Sequence, residues 1–107
     1  MARKRIAKKI TSLVGEYLAT IEQDGIPIQA AYIFGSQAKG SANAESDIDI
    51  CIISPSFKNP SAALRTLWKK KRLPFSRIEP VGYSKKDFNE FAHPLVAEIK
   101  KTSIRIR

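Results

Sequence analysis

Within residues 34–53 an apolar stretch runs into a Gly-Ser turn, and a second apolar stretch then opens on two aspartates separated by one residue. The second stretch, Asp47-Ile48-Asp49-Ile50-Cys51-Ile52-Ile53, alternates for most of its length. Side chains two apart on a strand share a face, whereas on a helix they diverge, so the pattern demands a strand. Ile48, Ile50 and Ile52 then point into a core, while Asp47 and Asp49 point the other way together, with Cys51 on their side. In a chain with a formal net charge of +9, Glu45, Asp47 and Asp49 crowd three acids into five residues. A cation relieves that crowding, and a fork of hard oxygen ligands suits magnesium or manganese.

The turn before the aspartates supplies the complementary chemistry. Ile28-Gln29-Ala30-Ala31-Tyr32-Ile33-Phe34 follows a Gly25-Ile26-Pro27 break and is rich in strand-forming residues. It runs into Gly35, which tolerates conformations closed to other residues and lets a ligand approach the backbone. Ser36 is expected to cap a short helix through Gln37, Ala38 and Lys39 that Gly40 ends. N–H groups at such a helix start favour an anion, here the terminal phosphates of a nucleotide. Gly35, Ser36 and Lys39 are therefore the candidate nucleotide-binding residues, with Lys39 either touching phosphate or standing in solvent.

The run G-S, three residues, G, six residues, D-x-D, spanning Gly35 to Asp49, resembles the signature of the nucleotidyltransferase superfamily that includes DNA polymerase beta and kanamycin nucleotidyltransferase. The short length points to its minimal nucleotidyltransferases. The resemblance implies an α/β (α+β) fold with a small mixed sheet flanked by helices. It also implies transfer of a nucleoside monophosphate from a nucleoside triphosphate, with pyrophosphate released and two metal ions held by three carboxylates. It further implies a helical HEPN-type partner, which some minimal nucleotidyltransferases neutralise as antitoxins by adenylylating or covering it.

The third carboxylate belongs on a later strand beside the first two, and Glu79 in Arg77-Ile78-Glu79-Pro80-Val81 is the best candidate. The family usually has aspartate there, and glutamate reaches further and is positioned less rigidly. The competing reading is an exposed edge acid, and Pro80 itself points to an edge strand or a bulge. On this reading Asp47, Asp49 and Glu79 are both the metal ligands and the catalytic carboxylates. They would hold two ions about 3.5–4 Å apart, as two-metal enzymes do.

Elsewhere, apolar residues at helical spacing predict a first helix over residues 3–23 ended by Asp24-Gly25. Pro60 is placed to open a second helix carrying Leu64, Leu67 and Trp68, with Trp68 expected in the core. Ser84 to Asp87 forms a capping box for a helix with Phe88 and Phe91. Pro94 starts another, with His93 as its cap or at the surface, and residues 104–107 alternate as a final edge strand. A chain of 107 residues with 43% hydrophobic content suggests one domain over residues 1–107. It shows no apolar run of the roughly 20 residues needed to span a bilayer. One cysteine permits no internal disulfide and agrees with a cytoplasmic setting.

Three function classes follow. One is a transferase moving AMP from ATP, or another nucleotide, onto a partner protein. Another is a weak or silent site on a module that neutralises its partner by contact. The third is a nucleic-acid-directed transferase or binder, suggested by basic patches at residues 3–9, 65–72 and 100–107 but lacking an aromatic-interleaved motif. Such a small chain leaves the acceptor site to a partner or a second copy.

Overall fold

The computed structural model describes residues 6–43, 46–72, 74–90 and 93–107. Helix α1, Lys8–Gln23, buries Ile10, Val14, Tyr17, Leu18 and Ile21 along one stripe. It begins later than the sequence suggests, and the earliest residues of the expected helix lie outside the described ones. Strand β1 covers Ala30–Phe34, helix α2 Ser36–Lys39 and strand β2 Ile48–Ile53. Helix α3, Pro60–Lys69, starts as predicted with Pro60 in its first turn, and the Asn59 side chain caps it by accepting from Ala62 N at 2.8 Å. Strand β3 is Ile78–Tyr83, followed by α4, Lys85–Glu90, whose Asp87 N–H donates to Ser84 Oγ at 3.1 Å. Phe91, assigned by sequence to that helix, lies outside the described residues. His93 does cap α5, Pro94–Thr102, where Nδ1 accepts from Leu95 N at 3.1 Å. The short edge strand β4 is Ile104–Arg105.

The four strands form one mixed sheet in the order β3-β2-β1-β4. β1 lies antiparallel to both β2 and β4, while β2 and β3 run parallel. Ala31, Ile33, Ile48, Ile50, Ile52 and Ile78 turn to one face and cluster with the α1 stripe and with Ala63 and Leu67 of α3. Ala30, Phe34, Cys51, Ile53 and Tyr83 turn to the other face, where Phe88, Val96 and Ile99 from α4 and α5 cover part of it. This is the mixed sheet flanked by helices that the family resemblance implied. Among the described residues, no helix is long and apolar enough to cross a membrane.

Trp68 corrects an expectation, being 43% exposed and not in the core. Helix α3 buries Ala63 and Leu67, and Trp68 lies to one side of that stripe. Its indole N–H donates to the carbonyl of Pro80 at 3.1 Å, and Lys71 Nζ sits 3.7 Å from its ring centroid. The indole thus covers the outer edge of β3 at the residue that has no N–H to offer a neighbouring strand.

Candidate active site

The Gly-Ser turn is built by Gly35 rather than by Ser36. Gly35 occupies the cap position at φ 71°, where a side chain is strained, and Ser36 is the first helical residue with no side-chain capping bond. The Gly35 carbonyl accepts from Ala38 N and Lys39 N, each at 3.1 Å. Gly40 then closes the turn in a left-handed conformation, as the sequence predicts. A Cβ on Gly35 would overlap Asp49 Oδ2 and lie 3.2 Å from Asp49 Cγ. The absence of a side chain at residue 35 therefore lets the aspartate carboxylate lie directly against the turn.

Sheet register gathers the other acids. Phe34, which leads into the turn, pairs with Asp49 across the antiparallel ladder, and Asp49 pairs with Glu79 across the parallel one. Directly paired residues share a face, so Glu79 stands beside Asp49 on the strand where the sequence sought a third carboxylate. Asp47 immediately precedes β2 and is exposed, whereas Asp49 and Glu79 are half-buried. Burial pushes the Asp49 carboxyl above the usual carboxylate range, and the neighbouring charges of Glu79, Asp47 and Glu98 push it further. Glu45 lies outside the described residues.

Two contributors escape the sequence reading. Glu98, on α5, accepts an ion pair from Lys39 Nζ at 2.7 Å, so the lysine expected at phosphate or in solvent is tied to a fourth carboxylate beside Asp49. It is the one acid on α5, but only the packing of that helix over the sheet shows that it reaches the motif. Arg77 donates from Nε and Nη2 to the carbonyl of Ser46, at 3.1 and 2.6 Å, while its own carbonyl accepts from Ile48 N. Those three bonds bracket Asp47 and fix the course of the backbone that carries it.

Cys51 shares the acid face, as the alternation required, and is fully buried. Burial pushes its thiol up to about 12, so it stays protonated and inert at neutral pH. Among the described residues, no three His, Cys, Asp or Glu side chains converge tightly enough to cage a metal by themselves. Magnesium needs no such cage, because it keeps waters and completes its octahedron with substrate phosphates on one or two carboxylates. An all-oxygen donor set in which neighbouring acids raise the proton affinity of Asp49 fits a hard divalent cation.

A turn made for close backbone approach thus lies beside a row of acids paired across parallel strands. The chain belongs to the nucleotidyltransferase domain family, whose sequence model matches residues 15–103. Its fold is similar to that of a Sulfolobus solfataricus protein assigned to the nucleotidyltransferases, at a TM-score of 0.66 and 17% identity over 91% of this chain and 78% of that one. It is also similar to a chain of a toxin-antitoxin crystallised with AMP-PNP, at a TM-score of 0.58 and 20% identity over 84% of this chain and 69% of that one. At those identities the likeness shows the fold. No curated protein matches the chain significantly. Class membership makes the protein an enzyme of the nucleotidyltransferase type, in agreement with the resemblance carried by Gly35 to Asp49.

Proposed function

We propose that the protein transfers a nucleoside monophosphate, AMP from ATP, onto a hydroxyl of a partner protein, with Asp47, Asp49 and Glu79 as its metal-binding and catalytic carboxylates. The observation that carries this reading is the pairing of Asp49 with Glu79 while Asp49 lies against Gly35. It brings the acids and the phosphate turn together at one end of the sheet. Asp47 and Asp49 would hold magnesium or manganese with the triphosphate, and Glu79 with Asp49 would hold the second ion near the acceptor. Metals held by these carboxylates would neutralise phosphate charge and lower the pKa of the attacking hydroxyl. The acceptor oxygen forms its bond to the α-phosphorus as the bond from that phosphorus to the α–β bridging oxygen breaks. Pyrophosphate leaves, and the hydroxyl proton passes through Glu79 or water to solvent. Gly35 and Ser36 position the phosphates, and Lys39 joins them by exchanging its bond to Glu98 for one to phosphate. Because α2 has only four residues, phosphate affinity rests on local N–H groups more than on a helix dipole.

The partner is proposed as a helical, HEPN-type toxin met in the cytoplasm. Support comes from the fold shared with the toxin-antitoxin chain crystallised with AMP-PNP. A second reading, neutralisation by contact with a slow site, is favoured by the glutamate at residue 79, which reaches further than an aspartate and is positioned less rigidly. The test is incubation with α-phosphate-labelled ATP, magnesium or manganese, and a co-expressed helical partner. Label should appear on the partner with wild type and vanish with Asp49→Ala. Full labelling by the variant would overturn the assignment, whereas neutralisation without any labelling would select the second reading.

A further inference from the structure

At the opposite end of the face that carries the acids there is a cavity of about 220 Å³. Its floor is sheet, formed by Ala30 of β1 and Ile53 of β2, which pair directly. Tyr32 and Phe88 make an apolar wall, stacked with ring centroids 5.7 Å apart and planes 17° from parallel. Around this wall stand Lys85, Arg105, Gln29 and Asn89, and among the described residues no Asp or Glu side chain lines the space. Asp49 pairs with Phe34, whereas this cavity sits at the Ala30–Ile53 pair four residues back along β1, so the two places are distinct. At about 3.3 Å per strand residue they lie on the order of 13 Å apart.

We propose that this cavity is a second binding site, for a phosphate group either free or carried on a small ester. Arg105 is the anchor. Strand β4 sets it opposite Tyr32, its Nε donates to a main-chain oxygen of Arg107, the last residue, at 2.8 Å, and its guanidinium carbon lies 6.0 Å from the Tyr32 ring centroid. A guanidinium held this way is pre-oriented, with its terminal nitrogens left to pair with an oxyanion in the forked geometry that suits phosphate. Lys85 adds a second charge from α4, and the amides of Gln29 and Asn89 add neutral donors. Lys100 Nζ, 5.2 Å from the Phe88 ring centroid, adds a third cation close by. Pockets for drug-sized ligands run to about 300–1,000 Å³, so the volume suits a compact headgroup and not a nucleoside triphosphate. The stacked rings then offer an apolar side to whatever stem the phosphate carries.

The inference is independent of whether the acid site turns over, and its test is run without metal. Backbone amide resonances of the 15N-labelled full chain are followed in EDTA while inorganic phosphate, AMP or acetate is added at constant ionic strength. Phosphate should produce saturable shifts at Gln29, Lys85, Asn89 and Arg105. Arg105→Ala and Lys85→Ala should each weaken binding by about tenfold or more, the cost of losing a charged hydrogen bond, while Asp49→Asn leaves it unchanged. Tighter binding of AMP than of phosphate identifies an ester ligand, and equal or weaker binding identifies free phosphate. Linear, unsaturable shifts spread over the basic surface would overturn the proposal, as would acetate binding as tightly as phosphate or binding that survives both cation variants.

Discussion

On one face of the sheet Ile33, Ile48, Ile50, Ile52 and Ile78 are fully buried beneath α1 and α3, while on the other Asp49 and Glu79 pair across the same strands at half-buried positions. Residues one apart on β2 therefore serve opposite ends. The isoleucine face is closed, dry and redundant, and it contributes the burial that lets the strands exist. The acid face is left partly open and electrostatically unfavourable, since burial and neighbouring acids both raise the Asp49 carboxyl. A site that binds a divalent cation needs that unfavourable charge, and the closed face opposite supplies the stability that tolerates it.

Neighbouring substitutions on β2 test this division most sharply. Ile50→Ala should cost about 2–5 kcal/mol, as truncation of a buried isoleucine does, and chemical denaturation reads the loss. Asp49→Asn should have the opposite sign, slightly raising the Tm of the metal-free protein while removing metal-dependent transfer. A lowered Tm in Asp49→Asn would show the carboxylate to be structural and erase the distinction between the faces. Packing on the isoleucine face at β3, where Gly82 pairs with Ile52, gives the next largest effect. A Cβ on Gly82 would sit 2.6 Å from Phe57 Cε2 and 3.0 Å from Ala63 Cβ. Gly82→Ala should therefore destabilise by about 1–3 kcal/mol through overpacking.

Alkaline titration sharpens the comparison through groups buried on the two sides. Burial raises Cys51, on the acid face, from 9.0 to about 12, and raises Tyr17, beneath the isoleucine face, as well. The unfolded chain loses these protons first, so stability is full below pH 9 and falls as pH climbs from there toward 12. Cys51→Ala should flatten part of that fall, and the wild-type thiol should resist alkylation at pH 8 until the protein is unfolded. The smallest effect belongs to Lys39 and Glu98, whose side chains are 46% and 45% exposed. Glu98→Gln should change stability by about 0.2–1 kcal/mol at most, as exposed pairs do, yet tighten nucleotide binding by freeing Lys39.

The sheet and its site were legible in the sequence where alternation and turn chemistry act locally. Asp47 and Asp49 on one face, the isoleucines on the other, and the Gly35 turn follow from a two-residue period and a glycine, whereas Glu79 was sought because the family resemblance asks for a third carboxylate. What stayed hidden depends on contacts between segments far apart in the chain. Ser36 reads as a cap by residue type, yet the φ of Gly35 moves the helix start by one residue. Trp68 reads as core by hydrophobicity, yet it seals the β3 edge through a carbonyl twelve residues away. Glu98 and Arg77 carry no local signal, because each reaches the motif only once α5 and β3 have packed. The cavity at Tyr32 and Arg105 requires β4 to return to β1, a pairing of two residues per strand that no pattern announces.

The central claim is that the acid face binds a nucleotide through a divalent metal. Calorimetric titration of ATP into the wild-type chain and the Asp47→Ala, Asp49→Ala double variant, with and without magnesium, tests it most directly. The account predicts binding by wild type only when magnesium is present, and none by the variant. Magnesium-dependent binding of equal strength in the variant would contradict it.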